Sequence, residues 1–141
     1  MAGPGYDDLP EGAEIAPRQY LVTRRDLVRY AGASGDFNVI HWNERIAKSV
    51  GLPDVIAHGM LTMALAGRFL TEWAGDPGAV TEFGVRFSSP VVVPDDDKGA
   101  QVEIAGVVTG KLDGNQVAVD ITARSGDAKV LTRAHAVVRL P

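Results

Sequence analysis

The amino-acid sequence predicts an α+β fold in which a curved antiparallel sheet wraps around one long central helix. Three observations carry that prediction. Met60 to Trp73 is apolar on most faces (Leu61, Met63, Ala64, Leu65, Ala66, Phe69, Leu70), the pattern of a helix buried at the centre of its domain. After Gly75-Asp76-Pro77-Gly78 the apolar period changes from helical to two and stays there to the end of the sequence. Helical and strand segments also do not alternate, which argues against parallel β-α-β units.

The elements follow in order. Residues 1–14 are rich in Gly, Pro and Asp and are expected to wrap loosely around the surface. Ile15 to Val22 reads as a short extended segment. Thr23-Arg-Arg-Asp26 has the Ser/Thr-x-x-Asp/Glu form of a helix start, and Leu27, Val28, Tyr30 and Ala31 give the helix an apolar stripe. Gly32, Ser34 and Gly35 end it. Residues 35–42 fit neither period, and Asn43 caps a short helix that Gly51 and Pro53 stop. After the central helix, Phe83, Val85 and Phe87 alternate with polar residues as a half-buried strand. Pro90 and Pro94 bracket Val91–Val93, and an acidic turn from Asp95 to Gly99 follows. Val102, Ile104 and Val108 make the next strand, with Gly106 a bulge candidate. Asp113-Gly114 signals a hairpin, Val117 to Ala123 alternates cleanly, and Val130 to Leu140 is the last strand. One sheet around one apolar helix is the hot-dog architecture. The short helices ahead of it form an overhang that carries the irregular loop.

Composition bounds the function. The 141 residues are one domain's worth, 1–141, with 45% hydrophobic and 23% charged residues and a mean hydropathy of +0.01. Fourteen basic against eighteen acidic residues give a net charge of −4, so no broad basic face for nucleic acid is expected. No apolar run approaches the ~18 residues of a membrane span, and no secretory leader pattern is visible, so a cytoplasmic protein is expected. With no cysteine, thiol nucleophiles, disulfides and iron–sulfur clusters are excluded. Glycine-rich phosphate loops and the Gly-x-Ser-x-Gly elbow do not occur, and His41, His58 and His135 lack ligand spacing. No cofactor and no metal are expected.

The ionisable residues that stand apart are Asp36 and His41, in an irregular loop among apolar residues close to the start of the buried helix. A carboxylate and an imidazole turned toward one pocket can hold and activate a water or shuttle a proton near neutral pH. Alternatively, the two are a helix-end cap and a surface residue. Ala57-His58-Gly59-Met60 opens the central helix, so the Gly59 amide is one of the unpaired N–H groups of a helix N-terminus. Without a side chain there, a substrate carbonyl can approach it, and the partial positive charge would stabilise an enolate-like oxygen. A tight entry into the helix is the simpler reading.

Tyr30-Ala-Gly-Ala-Ser-Gly-Asp-Phe-Asn-Val-Ile-His-Trp-Asn-Glu-Arg-Ile-Ala47 resembles the R-specific enoyl thioester hydratase motif of the MaoC-like hot-dog proteins. Ala57 to Leu61 is similar to the helix start of that family. Trp73 to Val80 and Val85-Arg-Phe87 extend the likeness over nearly the whole chain. They are most similar to one branch, the catalytic B subunit of the actinobacterial (3R)-hydroxyacyl-ACP dehydratase. The resemblance implies a hydro-lyase of fatty acid synthesis acting on (3R)-hydroxyacyl and trans-2-enoyl thioesters of ACP or CoA. It casts Asp36 and His41 as the catalytic pair and Gly59 as the oxyanion donor. Asn38, with Ser34 and Gly35, would support the loop or the water, and His58, Met60 and Thr62 would bind substrate. Val39 stands where the family usually has proline, and Gly67 where some hydratases carry a serine near the aspartate, which suggests Thr62 as the group that orients Asp36. The other readings are a non-catalytic acyl-thioester-binding subunit and a thioesterase. A carrier or phosphopantetheine phosphate needs positive charge, offered by Arg24, Arg25, Arg29, Arg45, Lys48 and Arg68. Exposed sheet edges predict a homodimer, or a heterodimer with an A-type hot-dog subunit, with the acyl channel at the joint.

Overall fold

The computed structural model describes residues 2–141. Strand β1 (Glu14–Val22) leads into α1 (Arg24–Ser34), a single 3-10 turn (Val39–His41), α2 (Glu44–Ser49) and α3 (Gly59–Ala74). Strands β2 (Val80–Phe87), β3 (Ala100–Leu112), β4 (Gln116–Ser125) and β5 (Ala128–Arg139) follow. All strands pair antiparallel in the order β1-β3-β4-β5-β2, which leaves β1 and β2 as free edges. This is the expected α+β hot-dog fold. Among the described residues no helix is long and apolar enough to cross a membrane.

Local chemistry sets the helix ends. The Thr23 side chain accepts from the Asp26 N–H while the Asp26 carboxylate accepts from the Thr23 N–H, a closed capping box that stabilises α1 by about 1 kcal/mol. Gly35 ends α1 with φ 78°, a left-handed conformation that glycine adopts without steric cost. The Asn43 side chain accepts from the Ile46 N–H and starts α2.

The core forms where one face of α3 meets the concave face of the sheet. Ala66, Phe69, Leu70 and Ala74 pack with Ile104, Val108, Val119, Ala136 and Val138, all buried. Gly106 sits at the centre of this contact. A Cβ there would stand 3.1 Å from Ile15 Cδ1 and 3.3 Å from the Phe69 ring. Gly106 is therefore a notch for the helix, and the expected irregularity also falls there, with the extra residue on β1 between Ile15 and Arg18 opposite Gly106 and Ile104. The register of β3 against β4 slips at Val108/Gly110 as well.

The expected burial of α3 on all sides is corrected. Met60, Ala64, Arg68 and Glu72, spaced by four, form an exposed stripe, because the sheet covers one side of the helix. The expected loose wrap of residues 1–14 is also corrected over the described residues. The Tyr6 N–H donates to the Pro141 carbonyl at 3.0 Å, Lys111 Nζ donates to the Tyr6 carbonyl at 2.7 Å, and Glu14 already belongs to β1. These bonds satisfy backbone groups that would otherwise compete for water. Met1 lies outside the described residues.

The notch gives a direct test. Replacing Gly106 with leucine forces bulk into the Phe69 contact. We expect an overpacking loss of about 1–3 kcal/mol, read as a lower denaturant midpoint with an unchanged slope.

Candidate functional site

The loop after α1 is built from three short side-chain turns in series. Ser34 Oγ accepts from the Asp36 N–H at 3.2 Å, Asp36 Oδ1 from the Asn38 N–H at 3.1 Å, and Asn38 Oδ1 from the Ile40 N–H at 3.3 Å. Each residue bonds the backbone two positions on, an arrangement these side chains favour outside regular structure. Asn38 thus holds the loop's own backbone. Trp42 Nε1 closes the outer side by donating to the Phe37 carbonyl at 3.0 Å.

The last of these turns delivers His41 into the interior, where it is 7% exposed. Its Nδ1–H donates to the Ile56 carbonyl at 2.7 Å, which in the neutral ring leaves Nε2 with a bare lone pair. That nitrogen faces Asp36 Oδ2 across 4.0 Å. The distance is too long for a direct hydrogen bond and leaves space for one oxygen atom to bridge the two groups. Burial pushes the His41 pKa below its ordinary value, and the neighbouring His58 adds to the fall. The bond to Ile56 and the Asp36 carboxylate oppose that shift only in part. The imidazole is therefore neutral at pH 7. The Asp36 side chain is 52% exposed, so the pair joins one buried and one open group.

Segment 55–57 positions the other wall. Its backbone bonds the loop on one side (Ile56 N–H to the Ile40 carbonyl, 3.2 Å) and residues 91–93 on the other (Ala57 N–H to the Val91 carbonyl, 2.9 Å). The chain then turns into α3 at His58, whose side chain makes no cap bond to the first turn. Gly59, whose N–H is one of the unpaired groups of the first turn of α3, lines a groove of about 440 Å³ with His41, Thr62, Phe87, Ser88 and Val130. A Cβ at Gly59 would stand 3.1 Å from the Phe87 ring. Phe87, expected on the core face of its strand, is instead half exposed over this glycine.

The remaining expected site residues divide. Thr62 lines the groove, but among the described residues its hydroxyl makes no hydrogen bond to Asp36. Met60, next to Gly59 in the chain, is exposed and is not among the residues that line the groove. Gly67 lies two turns along α3 against Phe83 of β2 rather than in any contact with Asp36. His58, expected to touch substrate, is only 1% exposed and stacks on the His41 ring at 3.8 Å. Its Nε2 donates to the Asp36 backbone carbonyl at 3.1 Å, and its buried Nδ1 has no partner among the described residues, at a cost of about 1–3 kcal/mol. Asp36, His41 and His58 bring one ligand-type atom each within 4.8 Å. The two rings stack with centroids 3.8 Å apart and planes 23° apart, so their in-plane lone pairs lie in separate, nearly parallel planes rather than converging on one point. The trio fits a hydrogen-bond cluster better than a metal site.

Three of the expected phosphate-binding cations are already paired. Arg24 donates to the Val93 carbonyl and to Asp54, Lys48 to Glu44, and Arg68 to Glu72. Arg25, Arg29 and Arg45 make no ion pair among the described residues. No sequence signal points to the Ile56 carbonyl, since a backbone acceptor carries no residue type.

Known proteins share this sequence pattern and fold. The model of the MaoC-like domain matches residues 9–126. An (R)-specific enoyl-CoA hydratase from Rhodospirillum rubrum is 31% identical over 107 residues, covering 75% of this chain and 73% of that protein. The 3-hydroxyacyl-thioester dehydratase X of Mycobacterium tuberculosis is 42% identical over 78 residues, 52% of this chain but 25% of that protein. A solved MaoC-like dehydratase superposes with a TM-score of 0.94 at 43% identity, over 99% of this chain and 43% of its own. The chain thus spans a quarter of one of these relatives and less than half of another. With a family model matching most of its length and a hydratase similar over nearly three quarters of that enzyme, the chain belongs to the MaoC-like dehydratase family.

Proposed function

We propose that the protein is a hydro-lyase that hydrates trans-2-enoyl thioesters and dehydrates (3R)-hydroxyacyl thioesters, carried on ACP or CoA, within fatty acid metabolism. The observation that carries this reading is the bare Nε2 of His41, set 4.0 Å from the Asp36 carboxylate beside an uncapped helix N-terminus. A water bridging the two would donate one hydrogen to each. In hydration its oxygen bonds C3 while His41 Nε2 takes the proton, and the electron pair of the C2–C3 double bond moves onto the thioester oxygen. The Gly59 N–H then meets that enolate-like charge. Return of the proton from His41 to C2 leaves both groups as they began. Dehydration is the same path reversed. Thr62 and Met60 would line the substrate's approach. The thioester itself acidifies C2, so the scheme calls on no cofactor, and a cytoplasmic location is part of this reading.

A second hot-dog chain, a copy or an A-type subunit, would complete the unit at the edge of β2. Register slips occur on both edges, but edge β1 also carries Pro17, which discourages further pairing. Edge β2 has no proline and ends at Phe87 beside Gly59, so a chain added there would close over the groove. The solved relative, more than twice as long as the stretch it shares with this chain, has room for such a second unit.

Incubation with crotonyl-CoA or an enoyl-ACP should remove the enoyl absorbance, alone or with an A-type partner. Asp36→Asn and His41→Ala should each lower kcat by about 10²–10⁴-fold with the fold retained. No turnover in either assay, or release of free thiol in place of hydration, would overturn the reading. Because His41 must be neutral to accept a proton, and its pKa lies below 6.5, kcat/KM should stay level at neutral pH. It should fall only on acidification below 6.5. An acid limb above 6.5 would assign the base to another group. On size-exclusion the active form should elute as a dimer of hot-dog units, and an active monomer would refute the β2 joint.

A further inference from the structure

His58 is too deeply buried to reach a substrate, yet it touches both members of the proposed pair. Its ring lies 3.8 Å from the His41 ring at an interplanar angle of 23°. Its Nε2–H donates to the backbone carbonyl of Asp36 at 3.1 Å. Tyr30 of α1 meets its other side edge-on at 4.8 Å. His58 is also the residue immediately before Gly59, so its own backbone sets where α3 begins. A phenylalanine could supply the stack but not the donor, and a glutamine the donor but not the stack. The Nδ1 that lacks a partner among the described residues is what remains when one ring serves both purposes.

We propose that His58 is a positioning residue that holds the Asp36 backbone and the His41 ring at their working separation, in register with the Gly59 amide. This rests on the hydro-lyase reading for its consequence in catalysis, but the arrangement itself can be measured without turnover. The ionisable groups facing His41 are Asp36 from the loop and His58 from the turn into α3, while Tyr30 faces His58.

The first test uses the unmodified protein. Nitrogen-15 NMR of the histidine rings should show opposite tautomers, His58 protonated at Nε2 and His41 at Nδ1. Protonation of His58 at Nδ1 alone would break the bond to Asp36 and overturn the proposal. The second test compares His58→Phe, which keeps the stack, with His58→Gln, which keeps the donor. Both should lower kcat by about 10–10²-fold, the scale of a misplacement near 1 Å, with KM within about twofold because His58 does not meet substrate. His58→Phe should also raise the titration midpoint of His41, since a group that lowers it is gone. Folded variants with unchanged kcat and an unchanged His41 midpoint would show a merely structural role. Failure of the unmodified protein to hydrate any enoyl thioester would instead sink the hydro-lyase reading. The tautomer measurement would still decide the role of His58 in that case.

Discussion

The hydrogen bond from His41 Nδ1–H to the Ile56 carbonyl is the constraint on which the rest of the site depends. It ties the overhang to segment 55–57, which residues 91–93 in turn hold through backbone bonds on the other side. Three residues after Ile56 the chain enters α3, so the same bond fixes the overhang relative to the helix N-terminus. It also decides chemistry, because a ring that donates from Nδ1 keeps its lone pair on Nε2. Burial strengthens the arrangement by disfavouring the charged imidazolium. Position and tautomer of one side chain thus follow from one backbone acceptor, while burial, acting against that bond, sets its charge state.

The parts of the fold legible in the sequence are those governed by neighbours in the chain. The capping box at Thr23 and Asp26, the cap at Asn43, the left-handed Gly35 and the alternation of β4 all express interactions within a few residues. What is not legible is set by contacts between distant segments. The apolar pattern of α3 says that its surface is oily, but not which side the sheet will cover, and Met60 and Ala64 lie on the open side. Phe87 alternates correctly with Arg86 and Ser88, yet it leaves the core because a glycine on another element offers its ring a place. Gly106 shows the same logic. A glycine in a strand signals a bulge or a close approach with equal force, and here both occur, the close approach being set by the position of Phe69.

The candidate site divides along the same line. Asp36, His41 and the loop-supporting Ser34 and Asn38 are visible because their spacing is local, and each makes contacts of the kind the irregular segment suggests. The Ile56 carbonyl is invisible because every residue has one. His58 stands out in the sequence as the neighbour of Gly59, but its position behind His41 depends on the packing of α1, the loop and α3 together. Arg24 shows the converse. Its charge is plain in the sequence, while its consumption by Asp54 and Val93 is a long-range fact.

The open side of the site carries the last step. The Asp36 carboxylate is half exposed, and Phe37 and Trp42 of its loop, Met60 of the first turn of α3 and Phe87 of the groove are each about half exposed or more. Water would screen the Gly59 amide and weaken its hold on a developing oxyanion, since electrostatic stabilisation gains most where the dielectric is low. The buried half, His41 backed by His58, is already shielded from bulk solvent. On the proposed reading the exposed half must become so when the substrate arrives, and these exposed apolar side chains are suited to an acyl thioester and to a second hot-dog chain along β2. A charged carboxylate left among uncovered apolar side chains is then the mark of a half-built site, one whose catalytic polarity is fixed by this chain and whose exclusion of water is completed by what docks on it.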